Sequence, residues 1–178
     1  MITLYNIQVN ESSPSEPVSL LEAKAWAVVD HDDHDDLLSS MITGAREDIE
    51  QELNLKLVDA TALFYVNTTR DEEELISFPY AYSLSWVDDV EINLIEDGEA
   101  DELQVINEDY YLNGSLKIGS ASKNKIEYTI TPTVPTAIKE AIKMLVAYRY
   151  NNRGDQEKQH GLPEDILHKV SKYRQIWL

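Results

Sequence analysis

The chain has 178 residues, no cysteine, and 33 acids against 15 bases, for a formal net charge of −18. At 43% hydrophobic and 27% charged residues it is globular, so wholesale disorder is excluded, and its length holds one ordinary domain with room for a helical and a β subdomain. The charge repels phosphate and anionic membrane surfaces and argues against nucleic-acid binding through counterion release, while the missing thiols exclude disulfides, thiolate metal sites and cysteine nucleophiles.

Residues 1–17 read as an arm and linker: a short β-like stretch, Ile2 to Val9, precedes a proline- and serine-rich segment that blocks regular structure. Ser19 and Glu22 stand three apart as a capping box, which predicts a helix carrying Leu21, Ala25 and Val28. After the acidic segment Asp30 to Asp36, the series Leu38, Met41, Ile42, Ala45, Ile49 and Leu53 holds one face at 3.6 residues per turn and predicts a long second helix. From Leu55 to Ile130 the period becomes alternating, as in Val58, Ala60, Ala62, Phe64 and Val66, then Val90, Ile92 and Leu94, then Ile126, Tyr128 and Ile130. Asp97-Gly98 and Asn113-Gly114 are suited to hairpin turns, and Pro79 to a strand start or interruption. Pro135 fits the first turn of a third helix bearing Ile138, Ala141, Ile142, Leu145, Val146 and Arg149. Pro163-Glu164-Asp165 opens a fourth, lined by Ile166, Val170, Tyr173 and Trp177.

The fold class is therefore α+β: two N-terminal helices, a small antiparallel β-sheet or barrel insertion, and two C-terminal helices. Residues 18–178 are expected to form a single domain, with helices over about 19–54, the β region over about 55–131 and helices over about 135–176. Met1 to Asn10 has no basic region followed by a long apolar one, and nowhere do about 18 apolar residues run together, so a soluble protein kept inside a cell is expected.

Chemical signatures are weak. His31 and His34 lie among aspartates, but a calcium loop counted from Asp30 would need glycine at Asp35 and glutamate at Met41. Carboxylates in a helix's first turn account for the run without a ligand. Gly114 to Ser120 has the glycine spacing of a phosphate loop, yet Ser120 stands where the lysine belongs. No G-x-S-x-G elbow or histidine triad occurs. Arg153-Gly154-Asp155 is a chance tripeptide. The aromatics Tyr80, Tyr82, Trp86, Tyr148, Tyr150, Tyr173 and Trp177 fit core or interface packing better than base stacking. No catalytic, metal-binding or cofactor-binding residue is selected.

Three segments together carry a resemblance. Val18 to Lys24, Val29 to Asp33 and Leu37-Leu38 lead into Ala45 to Glu50 as a capped helix, acidic linker and long helix. The β region follows, with Phe78-Pro79, Trp86-Val87, Glu96-Asp97-Gly98 and Tyr110-Tyr111-Leu112; a closing helix pair comprises Val134-Pro135, Ile138 to Ile142, Val146 to Arg153, Leu162-Pro163 and Tyr173-Arg174. In order and spacing the chain resembles the head-tail connector, or adaptor, proteins of long-tailed bacteriophages and prophages.

The resemblance implies a virion structural protein, assembled in the bacterial host cytoplasm and not an enzyme, without a cofactor. It implies a homo-oligomeric ring, a dodecamer in the virion, joining the portal protein to a stopper or tail-completion protein, through which DNA passes without specific binding. Tyr173, Arg174, Ile176 and Trp177 are the candidate portal interface, since apolar and aromatic residues at a chain end have no downstream segment to cover them; docking back onto the subunit's own core is the other reading. The acidic charge reads either as solubility or as a wall past which DNA slides. A small acidic binding module that mimics DNA toward a nucleic-acid enzyme is the alternative function, and a metal-dependent hydrolase using His31, His34 and nearby aspartates is a third.

Overall fold

A computed structural model describes residues 2–11, 15–68, 74–77, 85–96, 99–101, 115–118, 123–155 and 161–174. The chain forms two compact units, each assembled from segments distant in sequence. The helical unit takes Ser15–Leu57 and Val134–Ile176; the β unit takes the N-terminal strand and Val58–Thr133. Together they give the α+β class expected from the change of period along the sequence.

In the helical unit, α1 is Leu20–Ala27, α2 is Asp35–Leu53, α3 is Thr136–Asn151 and α4 is Glu164–Val170. The start of α1 is chemically fixed. The Glu22 backbone N–H donates to the Ser19 hydroxyl at 3.3 Å, and the Glu22 carboxylate accepts from the Ser19 backbone N–H at 2.9 Å, so two of the helix's orphan donors are satisfied reciprocally. Both N-terminal helices end on a left-handed residue, Val28 at φ 57° and Asn54 at φ 54°. The core joins Ala23, Leu38, Ile42, Ala45, Ile49 and Leu53 to Ile138, Ala141, Ile142, Leu145, Ile166 and Val170, all buried. In α2, α3 and α4 these are the faces that the three-and-four spacing selects, whereas in α1 the buried Ala23 lies off the stripe of Leu21, Ala25 and Val28.

The last helix is shorter than its apolar periodicity predicts. It stops at Val170 and continues only as a 3-10 turn, Ser171–Tyr173. The Ser171 hydroxyl donates to the His168 carbonyl at 3.0 Å, a local bond that competes with the helical ladder, and the Arg174 N–H closes back on the Ser171 carbonyl at 3.1 Å. Ile176 and Trp177 lie outside the described residues.

The β unit holds a five-stranded antiparallel sheet in the order β1-β2-β7-β4-β5, where β1 is Ile2–Glu11, β2 Ala60–Thr68, β4 Ser85–Glu96, β5 Glu99–Asp101 and β7 Lys123–Pro132. A separate pair joins β3, Glu74–Ser77, to β6, Ser115–Ile118. The N-terminal segment thus contributes a full edge strand, paired from Ile2↔Thr68 to Glu11↔Ala60 with an irregularity between Tyr5 and Gln8. A second irregularity, between Asp88 and Glu91, interrupts the pairing of β4 with β7. Such bulges bend a strand and increase its twist. β4 and β5 pair on either side of Asp97-Gly98, Glu96 opposite Glu99. That dipeptide, Asn113-Gly114, Tyr110 to Leu112, Pro79, Tyr80 and Tyr82 lie outside the described residues.

Candidate assembly surface

Two charged residues stand on the apolar face of α2. Arg46 is 1% exposed and Glu50, one turn on, is 4% exposed. Burying ions is costly unless every lone pair and proton finds a partner, and here the partners are supplied. Arg46 Nη1 donates to Glu50 at 2.9 Å and its Nε to Glu16 at 3.1 Å. The Glu50 carboxylate also accepts the Leu57 backbone N–H at 2.7 Å and Lys56 Nζ at 2.9 Å, while Glu16 takes the Thr43 hydroxyl at 2.8 Å. The network ties the segment entering α1 and the segment leaving α2 to one point on the long helix. Glu16 also borders a shallow open depression with Ser19, Ser39 and Thr43; its carboxylate is engaged by Thr43 and Arg46, which makes it a structural anchor.

The acidic turn before α2 is held from α1. Lys24 Nζ bridges Asp32 at 2.6 Å and Asp35 at 2.7 Å. The hydrogen bond to Asp32 raises the Lys24 pKa, and the same bond lowers that of Asp32. Asp35 and Asp36 open α2, where they complement the helix dipole. His34 Nδ1 lies 2.7 Å from the Tyr150 hydroxyl of α3, and the His31 ring meets His34 edge-on at 4.9 Å between centroids. These two histidines therefore serve the turn and its contact with α3, and no cluster of three or more metal-ligating side chains occurs among the described residues. Further along α2, Asp48 is bonded to Arg149 of α3.

Among the described residues, four large apolar side chains of the helical unit face solvent: Val28, Leu21, Trp26 and Leu37. All belong to α1, its cap or the first turn of α2. Of the predicted interface residues, Tyr173 is half-buried with Lys172 Nζ 4.9 Å from its ring centroid, and Arg174 is exposed with Nη1 3.3 Å from Glu52. The sequence places Leu21, Ala25 and Val28 at helical spacing without showing which side of the helix is buried. The signal that would have separated them is the pair Ala23 and Ala27, small residues at a four-residue spacing that mark the side of close approach.

Among the described residues no helix is long and apolar enough to cross a membrane. Residues 17–84, from the linker through both N-terminal helices into the β region, match the family model of phage gp6-like head-tail connector proteins. Over these residues the chain is similar to that family. A likeness in fold extends across nearly the whole chain. A chain from the neck of an empty gene transfer agent (GTA) particle, computed with C6 symmetry, superposes with TM-score 0.66 at 15% identity, covering 96% of this chain and 97% of that one. A chain from the native GTA virion gives 0.63 at 15% identity, and one from the native neck computed with C12 symmetry gives 0.59 at 17%, each with the same coverage. No curated protein matches the sequence.

Proposed function

We propose that this chain belongs to the head-tail connector family and is a structural ring subunit at the head–tail junction of a phage or phage-like particle, mounted between the portal and the stopper or tail-completion protein and leaving a passage for DNA. The observation that carries the reading is the likeness, over 96% of the chain, to neck components of particles described with C6 and C12 symmetry, joined to the family match of residues 17–84. The role is mechanical and requires no cofactor or catalytic group. On this reading the chain end Tyr173, Arg174, Ile176 and Trp177 meets the portal. The net charge of −18 keeps the passage from retaining DNA.

Electron microscopy and native mass spectrometry of the purified chain, alone and mixed with its cognate portal, test the proposal. Ring-shaped particles are expected. A strict monomer that ignores the portal overturns it, and capture of a nuclease with no virion protein would favour the DNA-mimic reading instead.

A further inference from the structure

Helix α1 is apolar on the wrong side. Its buried face is built from Ala23 and Ala27, whereas its large side chains point outward, Leu21 at 77% exposure and its cap residue Val28 at 89%. Positions 21, 25 and 28 fall on one stripe at helical spacing, and Ala25 between them is exposed too. A helix that is apolar all round belongs in an interior. Val28 sharpens the point. It occupies the left-handed region at φ 57°, where a β-branched residue is strained and glycine or asparagine would sit freely.

Charge indicates the occupant. The stripe runs into the acidic turn: Asp30, Asp32, Asp33 and Asp36 are exposed, and Leu37 adds an exposed apolar group in the first turn of α2. The opposite character lies at the other end of the same helix. Glu52, in the last turn of α2, meets Arg174, and α4 with its 3-10 turn carries His168, Lys169 and Lys172 around the half-buried Tyr173. No acid follows Asp165 in the sequence. Glu52 and Glu140 answer Arg174 and Lys169 from within the subunit. At 1.5 Å per residue the 19 residues of α2 hold the acidic and basic ends about 27 Å apart.

We infer that the helical unit associates head to tail with a second copy of this chain, the apolar stripe and acidic turn of one subunit receiving the basic end of α4 from the next. The inference rests on the ring reading above and names its contact. Two different patches on one subunit are what a heterologous, ring-closing interface requires.

Two paired charge reversals test it, both leaving Arg174 and the Lys24 bridge intact: Asp30→Lys with Asp33→Lys on the acidic side, and His168→Glu with Lys172→Glu on the basic side. Each variant alone should lose the ring in native mass spectrometry while keeping the wild-type circular dichroism spectrum. An equimolar mixture should recover rings with an even number of subunits, because each reversed patch then faces its complement. Since the chain has no cysteine, Val28→Cys with Lys172→Cys treated with a short bis-maleimide should also give a ladder of oligomers that either single cysteine does not. Rings that persist in both variants overturn the inference and leave the ring reading standing. So does a basic-side variant that forms rings but no longer binds the portal. A wild-type chain that forms no ring, alone or with the portal, together with a double-cysteine variant that gives no ladder, removes both.

Discussion

Arg46 shows how one residue can hold several segments together. Its guanidinium spans Glu16, Glu47 and Glu50, and Glu50 in turn fixes the Leu57 N–H. Truncating one partner of a buried pair leaves an uncompensated charge, which costs far more than the pair itself contributes. Arg46→Ala should therefore destabilise the protein by about 3–5 kcal/mol, read from the midpoint of urea unfolding. A loss under about 1 kcal/mol would mean that the site is wet and the pair behaves as a surface bridge. In the sequence Arg46 and Glu50 look like ordinary solvent-facing charges, because periodicity counts apolar residues and passes over the rest. Their burial became legible only with Glu16, thirty residues upstream in the linker, and such a contact leaves no local pattern.

At the scale of elements, capping and glycine effects have opposite signs in neighbouring helices. Ser19→Ala removes the hydroxyl that accepts the Glu22 N–H and should cost about 1 kcal/mol. Gly44 sits inside α2, and a Cβ there would meet Arg149 Nη1 at 3.9 Å, ordinary van der Waals contact. Gly44→Ala should therefore stabilise by about 0.5–1 kcal/mol, since glycine loses the most backbone freedom in a helix interior. Thermal melts of the two variants should move in opposite directions; a lower melting temperature for Gly44→Ala would show that the close approach to Arg149 is needed. The capping box was readable from residues 19–22 because all its chemistry lies within one turn. The end of α4 was not, since the apolar spacing through Tyr173 and Trp177 gives no sign that the Ser171 hydroxyl bonds the His168 carbonyl. Strand β1 was readable as a β-like stretch, but its place at the sheet edge depends on pairing with residues distant in sequence, from Glu11 with Ala60 to Ile2 with Thr68. Alternation specifies a face and leaves the partner open.

For the whole molecule, pH and salt separate the electrostatics of the fold from those of assembly. The carboxyls of Glu22, Asp32 and Glu140 are held below their ordinary values by hydrogen bonds, from Ser19, Lys24 and Lys169 respectively. A carboxyl depressed on folding contributes stability above its unfolded value and loses it as pH falls through the folded one. Stability should thus hold at neutral pH and decline below about pH 4, where ordinary carboxylates titrate. Lys24 works the other way: its pKa is raised above 10.5 by the bond to Asp32, so its contribution is complete below that value and is lost only at more alkaline pH. Each pair is partly or fully exposed and small, and their common direction makes the acid limb visible. Salt provides the second lever. At −18 each subunit repels itself, and screening relieves that repulsion. Raising sodium chloride from 0.05 to about 0.5 M at pH 7 shortens the Debye length to under 5 Å, and it should leave the melting temperature of the isolated subunit unchanged or higher. The contact between the acidic turn and the basic end of α4 is an attraction, and the same screening weakens it. Salt should therefore shift the population from rings toward single subunits while the fold becomes no less stable. Native mass spectrometry from volatile salt solutions, set beside melting curves at matched ionic strength, measures both. Rings that tighten with salt would place the assembly energy in the apolar stripe of Leu21, Ala25 and Val28, with the charges serving only to select the partner.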